Sequence, residues 1–135
     1  MNAKDSFFQI VRRGDVEAAR AEIVTNPTCV LESQDNGWTP LHMVAAQGVN
    51  ATQNHAEIAE LLIGAGADLH ARDIARQTPL HLISVNGSVE SIPVARVLLA
   101  AGASPLEKNI MGMDCTFVVH GKEVRKLMQD AVALR

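Results

Sequence analysis

The chain has 135 residues, a formal net charge of −3, and 47% hydrophobic residues but only 3% aromatic ones. This composition predicts one domain with an aliphatic core and excludes a disordered chain. No apolar run approaches the length of a membrane span, and the N-terminal residues lack the apolar core of a secretory signal. Cys29 and Cys115 have no metal-binding spacing, which indicates free thiols in a reducing compartment. We therefore expect a cytoplasmic protein that does not contact a membrane.

The charges are unevenly distributed along the chain. Residues 21–71 contain six acidic side chains and no Lys or Arg. An acidic segment argues against nucleic acid as a partner, because phosphates require a basic surface. It is compatible with a basic protein partner and equally with a solvated face.

Two units of the sequence each begin with a predicted helix that starts at the same tetrapeptide. GWTPLHMVAAQG at 37–48 is followed by RQTPLHLISVNG at 76–87, so that Thr39-Pro40-Leu41-His42 returns as Thr78-Pro79-Leu80-His81. A threonine hydroxyl can cap a helix whose first residue is proline. Gly48 and Gly87 are expected to end these helices.

A second predicted helix follows in each unit. Apolar residues recur at helical spacing in AELLIGAGAD and again in VARVLLAAGAS. Gly66 and Gly102 are expected to end the second helices, and polar, turn-like links follow them. A short helix pair cannot bury its apolar face alone, so the units must stack.

These motifs resemble the ankyrin repeat, with its G-x-TPLH-x-AA-x-x-G segment and its second helix ending L-L-x-x-G-A-D. FFQIVRRGDVEAARAEIVTNP resembles an opening repeat, and NIMGMDCTFVVHGKEVRKLMQDA resembles a closing repeat in which Asp114-Cys115-Thr116-Phe117 replaces TPLH. Terminal repeats are usually atypical. The resemblance implies an all-α ankyrin-repeat solenoid of stacked helix-turn-helix units joined by short hairpin-like turns.

One domain over residues 1–135 then divides into four units. They are a cap repeat at about 3–33, repeats at about 34–72 and 73–108, and a C-terminal cap at about 109–135. TPLH recurs after 39 residues, whereas the family period is about 33. The excess lies in insertions at 49–54 and about 88–91, which stacking would place side by side. They are either part of a binding face or inconsequential surface loops.

No catalytic or metal-binding arrangement emerges from the histidines and cysteines. The resemblance implies that His42 and His81 bond to the backbone of the neighbouring turn, and His55 also sits at a family-favoured position. Cys115 and His120 could be imagined as a nucleophile and its base, but Cys115 replaces a proline of the cap helix, which favours burial. We expect no enzyme activity and no cofactor.

The resemblance implies partner binding on the concave side, through the turn tips and the first helix of each repeat. The residues at those positions are Asp35, Asn36, Trp38, Ala46, Gln47, Ile74, Ala75, Gln77, Val85, Asn86, Ile110, Met111 and Met113. Several tips are apolar, which is typical of an interaction surface, unless Trp38 and the isoleucines only cover neighbouring turns. Arg76 stands where the other turns have Gly37 and Gly112.

The functional expectation is a non-enzymatic protein-protein interaction module, monomeric on its own, that binds one protein partner through an apolar and acidic concave strip. The alternative is a stand-alone inhibitor or immunity-type protein that occludes a partner enzyme or toxin. A structural role as a subunit of a larger assembly is a third hypothesis. Repeat scaffolds accept many partners, so the fold does not choose among these.

Overall fold

A computed structural model describes residues 3–134, with side chains from Phe7 to Leu134. Residues 1, 2 and 135 of the predicted domain lie outside the described residues. Between 3 and 134 the chain forms helices and turns without a strand. The α-helices are α1 (Ala3–Arg13), α2 (Val16–Thr25), α3 (Pro40–Ala45), α4 (Gln53–Gly64), α5 (Pro79–Asn86), α6 (Ile92–Ala100), α7 (Cys115–Val118) and α8 (Lys122–Ala133).

The helices form two stacked rows, which confirms the predicted all-α solenoid. The inner row runs α1, α3, α5, α7, and each helix packs on the next. The outer row begins with α2, α4 and α6, and each of these helices also packs on the next. The last outer helix, α8, packs instead against α7 and α5, and a groove separates it from α6.

The core between the rows is aliphatic, as the composition predicts. Leu41, Ile58, Leu62, Ile83 and Leu98 are completely buried. Burial of each such side chain contributes roughly 1.5–3 kcal/mol to folding. Because inner and outer helices of neighbouring repeats contribute to one continuous core, no repeat buries its apolar face without its neighbours.

The inner helices begin as the sequence predicts. The hydroxyls of Thr39 and Thr78 accept hydrogen bonds from the backbone N–H groups of His42 and His81, and a proline follows each threonine. In the C-terminal repeat, the carboxylate of Asp114 accepts from two backbone N–H groups of α7. Asp114 therefore replaces threonine as the helix cap.

The outer helices end at glycines, also as predicted. Gly66 has a φ of +101° and Gly102 a φ of +108°. The N–H of the alanine after each glycine returns to the carbonyl of Leu62 or Leu98 at 3.0 Å. This Schellman arrangement satisfies carbonyls that the last turn of a helix would otherwise leave without a partner.

The prediction for Gly48 was wrong, although Gly87 does cap the C-terminus of α5 in a left-handed conformation. Helix α3 ends at Ala45 with Ala46 as its cap. Gly48 instead opens a 3-10 helix at Gly48–Asn50. Helix α3 therefore ends before the glycine that was expected to end it.

The two insertions are ordered segments and not open loops. The first consists of that 3-10 helix and the first turn of α4, and the second contains a 3-10 helix at Val89–Ser91. The two 3-10 helices pack side by side, as the repeat alignment predicts. The buried hydroxyl of Ser91 donates to the carbonyl of Gly48 at 3.2 Å, which fixes one insertion to the other.

Arg76 is the non-glycine residue with positive φ among those described, at +58°. A left-handed conformation costs a residue with a Cβ about 1 kcal/mol relative to glycine. Arg76→Gly should therefore raise the free energy of unfolding by about that amount. Urea unfolding followed by circular dichroism measures the change.

The reciprocal substitution, Gly112→Arg, is the matched control. Gly112 has a φ of +76°, and no atom lies within 4 Å of where its Cβ would be. The variant should lose about 1 kcal/mol from backbone strain alone. Equal stability of both variants and the wild-type protein would refute the strain at Arg76.

Candidate partner-binding surface

The turns between repeats form a row of three hairpin-like fingers, here called fingers 1, 2 and 3, at residues 34–38, 73–77 and 109–113. In each, the first residue's N–H donates to the carbonyl of the last, at 2.8 to 3.1 Å. Neighbouring fingers are also bonded to each other. The N–H of Ile74 donates to Asn36 O at 3.0 Å, and that of Ile110 donates to Ala75 O at 2.9 Å. The tips are therefore held in one continuous backbone ladder.

Three apolar side chains project from the tips of fingers 2 and 3. Ile74 is 73% exposed, Ile110 63% and Met111 73%. Such side chains on neighbouring fingers form an apolar strip, which is uncommon on a surface that faces only water. We call Ile74, Ile110 and Met111 the tip strip.

Trp38 does not belong to this exposed strip, contrary to the expectation for a turn tip. It is half-buried, and its indole Nε1–H donates to Asp73 Oδ2 at 3.2 Å. The ring therefore packs on finger 2, which is the alternative that the sequence left open. Trp38 contributes an edge to the surface and a contact between fingers 1 and 2.

The other predicted site residues divide into two groups. Asp35 and Asn36 are exposed on finger 1, while Ala75, Gln77 and Met113 are half-buried within fingers 2 and 3. A second group lies at the C-terminal ends of α3 and α5, beside the insertions and away from the tips. Its members are the half-buried Ala46 and Gln47 and the exposed Val85 and Asn86.

The predicted acidic character of the strip was wrong. Of the six acids in residues 21–71, the exposed Glu57 and Glu60 lie on the outer helix α4, and Asp35 is the one on a finger tip. Finger 2 carries the exposed cation Arg76. The strip is thus apolar, with an anion at finger 1 and a cation at finger 2, because the acids are distributed over both rows of the solenoid.

The sequence interpretation missed several exposed apolar side chains, three of which lie on the insertions and in α7. Val49 is 70% exposed and Val89 48% exposed on the two packed insertions. Phe117 is 74% exposed in α7, at the position that histidine occupies in the repeats before it. The signal for Phe117 was present in the sequence, because a phenylalanine in place of the TPLH histidine cannot make that residue's hydrogen bond to a neighbouring carbonyl.

The histidines of the two TPLH motifs clamp each inner helix to the next finger. His42 Nδ1 accepts from the N–H of Thr39 at 3.2 Å, and its Nε2 lies 2.8 Å from the carbonyl of Gln77. His81 repeats this pattern with Thr78 and the carbonyl of Met113, at 3.1 and 3.0 Å. An acceptor Nδ1 and a donor Nε2–H together define a neutral imidazole.

Burial lowers the pKa of both clamp histidines below its ordinary value, which opposes protonation of the rings. The carbonyls of Gln77 and Met113 partly offset this effect. These side chains are therefore structural, and both ring nitrogens are already occupied.

The cysteines are not poised as nucleophiles. Cys115 is completely buried, and burial raises the pKa of its thiol to about 12, although the Ser84 hydroxyl beside it lowers the pKa somewhat. Burial likewise raises the pKa of the Cys29 thiol to about 11, with Glu22 adding to the effect. At neutral pH both thiols are protonated, and the thiolate is the reactive form.

Metal sites and membrane spans are both missing from the described part of the chain. Between residues 3 and 134, no group of three or more His, Cys, Asp or Glu side chains is arranged to hold a metal ion. The helices in that range are all too short or too polar to span a bilayer.

The family model for ankyrin repeats matches residues 7–109 in three copies. The chain belongs to the ankyrin-repeat family. Human Protein phosphatase 1 regulatory subunit 27 is 32% identical over 97 residues, covering 72% of this chain and 57% of that protein. NF-kappa-B inhibitor alpha is 33% identical in Gallus gallus and 35% in Homo sapiens, each over 94 residues, covering 67% of this chain and 28% of that protein.

The chain thus spans 57% and 28% of the lengths of these relatives. Both names describe proteins that regulate or inhibit another protein. The ankyrin-repeat match extends over both clamp histidines and fingers 1 and 2, and it ends at the first residue of finger 3.

The clamp histidines generate a prediction for pH dependence. Their folded-state pKa is lowered, so below the ordinary value of 6.5 the unfolded chain binds protons that the folded chain does not. The free energy of unfolding should fall as the pH decreases from about 6.5 toward the folded-state pKa values. Urea unfolding at about pH 7.5 and about pH 5.5 measures this difference.

His42→Asn separates the clamp from other titrating groups. The variant should be less stable at neutral pH, because one clamp is lost, yet its stability should change less between the two pH values. An unchanged pH dependence in His42→Asn would show that His42 does not titrate on unfolding.

Proposed function

We propose that this protein is a non-enzymatic, cytoplasmic interaction module that binds one protein partner through its concave side, with the tip strip as the principal contact. The observation that carries the proposal is the exposure of Ile74, Ile110 and Met111, at 73%, 63% and 73%, on two neighbouring fingers. Exposed apolar residues of this kind are typical of the centre of an interface.

The rigidity of the fingers supports this assignment. Asp73 Oδ1 accepts from the N–H groups of Ala75 and Gln77, each at 2.9 Å, and Asn109 Oδ1 accepts likewise from Met111 and Met113. The Arg72 guanidinium pairs with Glu107 and donates to the carbonyls of Arg76 and Lys108, which joins fingers 2 and 3. Preorganised tips lose little conformational entropy when a partner binds.

The charges beside the strip indicate the chemistry of the partner. Asp35 is exposed at the tip of finger 1 and Arg76 at that of finger 2. A complementary partner would offer apolar side chains for Ile74, Ile110 and Met111. It would place a cation toward finger 1 and an anion toward Arg76. Such rim charges contribute more to specificity and association rate than to affinity.

The second candidate is a stand-alone inhibitor that occludes a partner enzyme or toxin. Relatives named as a regulatory subunit and an inhibitor favour it. A separate apolar feature is available for that role, since Val49 and Val89 are exposed on insertions that the Ser91 hydroxyl joins. This candidate differs from the first in its surface and in predicting that the partner loses activity on binding.

The tip strip is tested by Ile74→Asp combined with Met111→Asp. Both side chains are about three-quarters exposed, so the fold should be retained while the partner complex is weakened by about 2 kcal/mol or more. A pull-down from lysate of the native source, read by mass spectrometry and followed by titration calorimetry with the recovered partner, measures the effect. These sites are preferable to Trp38→Ala, which would also remove the indole bond to Asp73.

Val24→Asp is the matched control, because Val24 is 76% exposed on the outer helix α2. It introduces the same charge at an apolar surface position outside the strip. A partner lost with the double variant and kept with the control supports the proposal. A partner that binds the double variant with undiminished affinity would remove the tip strip as the contact.

The inhibitor candidate is tested by Val49→Asp combined with Val89→Asp. Deletion of residues 49–54 would not be informative, since it removes the buried Ala51 and part of α4. If the insertions occlude an active site, the valine variant should release the partner's activity while Ile74→Asp does not. Full inhibition by the valine variant would exclude the insertions.

A further inference from the structure

The outer row of helices is interrupted at its C-terminal end. Helices α2, α4 and α6 pack on one another in turn, but α8 stands away from α6. The gap is a groove of about 800 Å³, here called the α6–α8 groove, with Ile92, Leu99 and Leu127 among its apolar lining residues. A gap of this depth leaves aliphatic surface in water, where other repeats bury it against the next outer helix.

The two rims of the groove carry opposite net charge. The α6 rim has Arg96, which forms no ion pair with any described residue. The α8 rim has Glu123, Lys126 and Asp130, and the ion pair of Lys126 with Asp130 at 3.1 Å leaves Glu123 uncompensated. Among the described residues that line the groove, the α6 rim therefore has one positive charge and the α8 rim has a net charge of −1, while Lys122 and Arg125 of α8 lie outside the lining.

We infer that the α6–α8 groove is a self-complementary interface that binds the same groove of a second copy of this chain in a two-fold homodimer. When two copies face each other about an axis along the groove, α6 of one lies over α8 of the other. Arg96 of each copy then faces the net negative α8 rim of its partner, so both rims are satisfied at once. An isologous interface requires this match between a surface and its own rotated copy.

An apolar side chain at the C-terminal end of α8 completes the complementarity. Leu134 is 89% exposed and lines the groove near its end. The dimer would bury Leu134 together with the apolar lining of both grooves, which is the driving force for association.

A two-fold dimer departs from the expectation of a monomer. It leaves the tip strip of the concave side free, because the groove lies between outer helices. A dimer would thus present two tip strips to a partner. The two surfaces can be tested independently.

The test compares the wild-type chain with Arg96→Glu, with Glu123→Lys, and with an equimolar mixture of those two variants. Sedimentation velocity from about 1 μM to about 1 mM covers dissociation constants of weak and moderate dimers. The wild-type chain should approach twice the mass of one chain as concentration rises. Each single variant should dissociate at least about tenfold more readily, because two facing contacts become repulsive.

The mixture provides the decisive result. In a heterodimer of the two variants, the glutamate introduced at position 96 of one chain faces the lysine introduced at position 123 of the other. The second contact of that heterodimer joins the native Arg96 to the native Glu123. Mixing should therefore restore a dimer that neither variant forms alone. No local effect on folding reproduces this pattern, and circular dichroism of each variant confirms that the helices are intact.

Two further variants complete the design. Leu134→Ser should weaken the dimer without a change of charge, whereas Glu57→Lys, at an exposed acid of α4, should leave it unchanged. A wild-type chain that stays monomeric over the whole range would overturn the inference. So would a dimer that persists in both single variants, or a mixture that remains monomeric.

Discussion

The stack depends on one contact used three times, in which a Thr-x-x-His segment caps a helix and the imidazole reaches a carbonyl of a neighbouring repeat. His42 and His81 reach forward to fingers 2 and 3, and His55 reaches back to the carbonyl of Arg12 at 2.8 Å. Each ring satisfies two backbone groups that the repeat boundary would otherwise bury without partners. The clamp therefore fixes the start of a helix and the position of a finger together. The tip strip lies on fingers 2 and 3, which the His42 and His81 clamps hold in place.

The backward clamp explains why an insertion is tolerated inside the first middle repeat. Thr52 lies within the inserted residues, and its N–H donates to His55 Nδ1 at 3.0 Å. The insertion thus brings its own helix start, and α4 is tied to the last turn of α1 through the carbonyl of Arg12. The second insertion is fixed by Ser91 to the first. Because both segments are anchored, their exposed valines are held in place and do not belong to mobile loops.

Features set within one repeat could be predicted from the sequence, whereas the burial of some side chains and one helix end could not. Thr39 and Thr78 predict where helices begin, and Gly66 and Gly102 predict where helices end, because capping involves only residues that are close in the chain. Local patterns left the exposure of Trp38 open, because it depends on Asp73 in the next finger. They misplaced the end of α3, which comes before Gly48 and not at it. The apolar residues of the tip strip could be predicted from the sequence. Its expected acidic character was wrong, because the acids of α4 lie on the outer row.

The last repeat of the described chain lacks this clamp. Phe117 stands where histidine contacts the next finger in the repeats before it, and a phenyl ring cannot hydrogen-bond to a carbonyl. Helix α7 has four residues, and α8 packs against α7 and α5 while a groove separates it from α6. The α6–α8 groove therefore leaves aliphatic surface in water, and the proposed two-fold dimer would bury it.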